Sequence, residues 1–144
     1  MTTKQYLGQI RILDIKIRQR QREAAELKLA ATCTGSASAQ GEKVQTSASG
    51  DKLLNAVARY VDLEAETQSM IDAMQKRRHK IIAEIQDLDD ARYIQVLFKR
   101  YVEYKKFELI AVEMNYDYNW VKNLHGMALM SFERTYSNIL SDKL

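Results

Sequence analysis

The chain has no proline, one cysteine and two histidines in 144 residues, and each shortage excludes a class of protein. A single cysteine, Cys33, cannot form an internal disulfide, and with only His79 and His125 beside it there is no clustered ligand set, so neither a metal nor a cofactor is expected. No run of about eighteen apolar residues is present to span a bilayer. The opening Met-Thr-Thr-Lys-Gln-Tyr lacks the hydrophobic segment of a signal peptide, so the expected location is cytoplasmic, with no membrane partner. The chain also lacks a glycine-rich phosphate loop, carboxylates paired at a catalytic spacing and an activated nucleophile. An enzyme is therefore not expected, and no catalytic residue is assigned.

What is present favours helices. Leu, Ile, Ala, Glu, Lys, Arg and Gln are abundant, while β-branched alternation is scarce, so the expected fold is all-α. The net charge of +3 identifies no partner by itself, but its distribution is uneven. Residues 1–32 hold seven Lys or Arg against three acids, residues 51–90 six against nine, and residues 91–144 eight against six.

Within 3–31, Tyr6, Ile10, Leu13, Ile17, Ala24 and Leu27 alternate by threes and fours, a heptad-like seam interrupted at Arg20. Residues 32–50 are rich in Ser, Thr, Ala and Gly with Val44 as the one sizeable apolar side chain, which predicts a flexible loop. Asp51 is the expected cap of a second long helix with Leu54, Val57, Tyr60, Val61, Ile71, Met74, Ile81 and Ile85 along its seam. Because the first helix is basic and the second acidic, folding them back as an antiparallel hairpin pairs opposite charges beside an apolar seam. The same complementarity between two copies would make a homodimer. The run Lys76-Arg77-Arg78-His79-Lys80 spreads around a helix and cannot meet one phosphate track as a whole.

The sequence 86–90, QDLDD, marks the boundary between the hairpin, 1–89, and a C-terminal unit, 90–144. Asp89 or Asp90 is the expected cap of a helix from 91 to about 103 with Tyr93, Val96, Leu97 and Tyr101 inward. The next helix is expected over 107–114, its apolar face made of Phe107, Ile110, Ala111 and Met114. Asn115 suits the left-handed residue that stops a helix. Asp117 can cap a third helix running through Leu129, with Val121, Leu124, Ala128 and Trp120 inward and Tyr118, Asn119, Lys122 and Asn123 outward. Phe132, Tyr136, Ile139 and Leu140 continue at helical spacing, to extend that helix or fold back on the core.

Three helices with this turn form a helix-turn-helix, in which the N-terminal end of the last helix reaches base edges in the major groove. Asn pairs with adenine, Lys reaches guanine or phosphate, and Tyr contacts phosphate or a thymine methyl. Lys105, Lys106 and Arg100 are the expected backbone contacts. Two amphipathic helices joined by a short turn also occur where no nucleic acid is bound, with the outer polar residues simply solvated.

The wording of 100–129 adds to its period. Glu108, Ile110, Ala111, Asp117, Val121 and the triplet Met127-Ala128-Leu129 resemble region 4 of bacterial sigma factors. Arg100, Tyr101, Val102, Lys105, Phe107, Glu113, Met114, Tyr116, Leu124 and His125 extend the likeness to a family of small phage and prophage proteins of Gram-positive bacteria that regulate late-gene transcription. Lys106 stands where that family has Ser or Thr. The resemblance implies double-stranded DNA as the partner, with RNA polymerase a second one, and a role as transcriptional regulator. A small terminase subunit for DNA packaging and a non-DNA interaction protein or inhibitor are the alternatives.

Overall fold

The computed structural model describes residues 1–37 and 47–141, with side chains for 1–30 and 50–141. Every element among the described residues is helical. Helices α1 (Thr3–Ala37) and α2 (Ser47–Gln86) form a long N-terminal helix pair. After it come α3 (Ala91–Leu97), a π-helical turn (Phe98–Val102), α4 (Phe107–Met114), α5 (Tyr118–Thr135) and the short α6 (Ser137–Ser141).

The start of α1 is set by a reciprocal cap. The Gln5 N–H donates to Thr2 Oγ1 at 3.2 Å, and the Thr2 N–H donates to Gln5 Oε1 at 3.0 Å, which satisfies two donors that have no partner inside the first turn. Both long helices outrun the sequence expectation. α1 ends at Ala37 rather than near Ala31, and α2 begins at Ser47, so Asp51 lies inside the helix instead of capping it. Alanine favours the helix, and without proline the small polar residues there do not block it. The rest of the expected loop, 38–46, lies outside the described residues.

The chain divides into two compact units, Met1–Ile15 with Lys76–Leu144, and Lys16–Gln75. The unit that holds the helix-turn-helix thus takes in 1–15 and 76–89, which sequence periodicity alone assigns to the hairpin. Leu7 and Ile10 of α1, Ile81 and Ile85 of α2, and Phe132 of α5 are all fully buried in it. The Tyr6 and Tyr136 rings flank Phe132 at 5.9 and 4.7 Å between centroids. Buried Glu84 ties the elements together, its carboxylate accepting from the Tyr6 hydroxyl at 2.7 Å and its carbonyl from the Tyr136 hydroxyl at 3.1 Å. Burial and the Glu84 carboxylate raise the Tyr6 pKa well above the ordinary tyrosine range, so the phenol stays a donor.

In the Lys16–Gln75 unit, Ile17, Thr67 and Ile71 are buried, and Ala24, Leu27, Tyr60 and Met74 are half-buried. Leu54, Val57 and Val61 are exposed, against the expectation that they lie on a buried seam. Two helices touch along one line, so only positions that face that line are removed from water.

The expected helix over 91–103 is present as α3 followed directly by the π-helical turn to Val102. Asp90 caps it, its carboxylate accepting from the Arg92 N–H at 2.9 Å, and after Leu97 the hydrogen bonding widens: Glu103 N–H reaches the Phe98 carbonyl. Tyr104 then takes a left-handed φ of 58°. The wider turn changes the direction in which Arg100 and Tyr101 leave the backbone, and both meet the groups described next.

Candidate nucleic-acid interface

Helix α4 carries two faces. Ile110 and Ala111 are buried, while Phe107 and Met114 are half-buried beside them, as their spacing predicts. Asn115 ends the helix at φ 57°, ψ 42°. Its N–H donates to the Val112 carbonyl at 3.3 Å, and the Tyr116 N–H donates to the Ala111 carbonyl at 3.0 Å. This pair of bonds closes a helix end through a left-handed residue, the position where Asn is tolerated better than most side chains. The chain then needs only Tyr116 to reach Asp117, whose carboxylate accepts from the Asn119 N–H at 3.3 Å and starts α5.

The turn orients α5 so that Val121, Leu124 and Ala128 are fully buried. Tyr118, Asn119, Lys122 and Asn123 are exposed along its first two turns, Asn119 and Asn123 opposite the core-facing side and Tyr118 and Lys122 on its flank. Lys122 Nζ lies over the Tyr118 ring at 5.0 Å from the centroid, an arrangement that holds an aromatic and a cation side by side on the outer surface. Trp120, expected inward, is 38% exposed. It precedes Val121 by one residue, which turns it about 100° away from the core-facing direction.

The other expected contacts separate into two kinds. Lys106 is exposed and occupies the cap position of α4 without a side-chain cap hydrogen bond. Lys105 is held within the fold by Glu103 and Glu113, the Glu113 oxygens lying 2.8 and 2.9 Å from its ammonium. Lys99 reaches the same Glu113 at 2.8 Å. The hydrogen bond from Lys105, then that from Lys99, lowers the Glu113 pKa, and the bonds to Glu103 and Glu113 raise that of Lys105. Arg100 is half-buried, donates from Nη1 to the Lys105 carbonyl at 3.1 Å, and lies over the Phe107 ring at 4.2 Å. Lys105 and Arg100 therefore brace the segment that leads into α4. In the basic run, Arg77 donates to Gln9 Oε1 at 3.0 Å.

Sequence periodicity did not bring Tyr101, Phe107 and His125 together, because they belong to three elements at unrelated spacings. His125 is buried, its Nε2 lies 2.9 Å from the Tyr101 hydroxyl, the Tyr101 ring stacks on it at 5.7 Å, and Phe107 meets it edge-on at 5.0 Å. Burial, then the charges of Lys4 and Arg100, holds the imidazole pKa down to about 4, so it is neutral near pH 7. The one available signal was that all three stand at positions of the resemblance. No protein-family model, curated protein or solved structure matches the chain.

Proposed function

We propose that the chain is a sequence-specific DNA-binding protein that regulates transcription, with α5 as the recognition helix in the major groove. The carrying observation is that Tyr118, Asn119, Lys122 and Asn123 are exposed along the N-terminal turns of a helix anchored through its core-facing side. In a helix-turn-helix this end meets base edges. The resemblance to late-gene regulators supplies the setting, phage or prophage genes, and its sigma region 4 wording adds RNA polymerase as a partner.

The test compares cognate duplex, obtained by selection from random sequence, with scrambled duplex. Asn119→Ala and Asn123→Ala each lose roughly 1 to 3 kcal/mol on the cognate site and little on the scrambled one, because base contacts carry specificity. Lys122→Ala weakens both about equally, because phosphate contacts do not read sequence. With Lys106 and Lys122 as the exposed cations among the expected contacts, the log–log salt slope is roughly −2, the value for two neutralised phosphates. Affinity that is flat in salt, or full discrimination in both Asn variants, refutes the reading.

A packaging component is the second reading, favoured by exposed Leu54, Val57 and Val61 along α2, since such subunits assemble through helical segments. Light scattering separates the two. A ring has many times the 16.7 kDa chain mass, whereas the regulator is a monomer or dimer.

A further inference from the structure

Beside the Tyr101–His125 pair lies a cavity of about 320 Å³, rimmed by Lys4 of α1, Arg100 of the π-helical turn, and Lys122 and Gly126 of α5. We propose that this cavity seats a phosphate group, held by the three cations over an aromatic floor. The inference rests on the DNA-binding reading only for the source of that phosphate, either the duplex backbone or a free phosphorylated compound.

Three observations lead there. The cations come from positions far apart in the chain, so the fold brings like charges together at a Coulombic cost, and no carboxylate lines the cavity. A net positive concavity with low-dielectric walls concentrates anions. Its floor adds no charge of its own, since the imidazole against Tyr101 is neutral near pH 7.

The second observation is geometric. One N–H of Arg100, on Nη1, is committed to the Lys105 carbonyl, which fixes the guanidinium and leaves its Nε/Nη2 edge for an oxyanion. Separate donors from three directions suit a group with three outward oxygens. A phosphate monoester offers them, a backbone phosphodiester offers two non-bridging oxygens on a tetrahedral centre, and a carboxylate offers two in a single plane.

The third is Gly126. Glycine within a helix costs about 1 kcal/mol relative to alanine, and a Cβ built on Gly126 meets no atom within 4 Å. Packing therefore does not require glycine here. What a methyl group would enter is the cavity, so the glycine keeps the α5 backbone open to the occupant.

The experiment titrates isotopically labelled full-length protein with inorganic phosphate, against sodium chloride at matched ionic strength, and then with duplex DNA. The Gly126 amide and the His125 ring are followed by NMR. Saturable shifts at both with phosphate are expected. Lys4→Gln, at an exposed position, weakens phosphate binding roughly two- to fivefold, the worth of one exposed ionic contact. Gly126→Ala melts about 2 to 4 °C higher, from its better helix propensity, yet loses the phosphate response. A variant that is more stable but no longer binds separates occupancy from folding.

If Gly126→Ala also weakens duplex binding, the phosphate belongs to the DNA backbone; if duplex affinity is unchanged, the occupant is a free phosphorylated compound. No saturable shift at these atoms with phosphate or duplex, or a full response in Gly126→Ala, overturns the cavity's role. Saturation by phosphate in a chain that binds no duplex at any salt overturns the DNA reading alone.

Discussion

Titrating His125 tests the packing of the helix-turn-helix unit directly. The imidazole is 7% exposed, faced by Tyr101 and Arg100 of the π-helical turn, Phe107 of α4 and Lys4 of α1. Its folded pKa is about 4, against 6.5 for the free group. Between these values the unfolded chain binds the proton and the folded chain does not, so stability falls as pH falls through that window. Across the whole window the loss is roughly 3 kcal/mol, and about 2 kcal/mol of it appears between pH 7 and pH 5. The contribution of the histidine to the slope fades above pH 7 as the unfolded chain also loses the proton.

The paired carboxylates of Glu113 and Asp90 have lowered pKa values and therefore act with the same sign, but at lower pH. The measurement is confined to pH 5–7 for that reason. Urea unfolding followed by fluorescence of Trp120, the one tryptophan in the chain, reports on the unit that contains α5. His125→Gln removes the titrating group while keeping a polar partner for Tyr101. The wild type should lose about 2 kcal/mol more than the variant over this range. Parallel slopes for the two proteins would show that His125 protonates freely when folded, and the buried neutral imidazole would be wrong.

Three further substitutions, at two positions, test the ends of α4. Asn115→Gly should be nearly neutral and Asn115→Val should destabilise by about 1 to 2 kcal/mol, since a β-branched residue resists the left-handed backbone; equal stabilities by urea unfolding would argue against the turn. Lys106→Ser places an accepting side chain at an extended cap position and should stabilise by about 1 kcal/mol. It should also lower duplex affinity and make the salt slope less negative by about one, so a gain in stability with unchanged DNA binding would remove Lys106 from the interface.

Periodicity carried far in the C-terminal unit. The extent of α4, the left-handed Asn115, the Asp117 cap and the outward side of α5 are local properties, set by apolar spacing and by which side chains satisfy backbone groups at helix ends. The all-helical class follows from composition for the same reason. The outward face of α5 was legible as a set of exposed polar positions, and its partner is the proposal above.

Tertiary structure decided what depends on neighbours distant in sequence. Asp51 resembles a cap, but the helix continues through it; Leu54, Val57 and Val61 have seam spacing, yet one line of contact does not cover them. Lys105 and Arg100 look like free cations until Glu103, Glu113, Phe107 and the Lys105 carbonyl are placed around them. The depressed His125 pKa and the cavity beside it arise because α1, the π-helical turn, α4 and α5 converge. Burial and electrostatic potential are sums over such neighbours, whereas a helical repeat is written in adjacent residues.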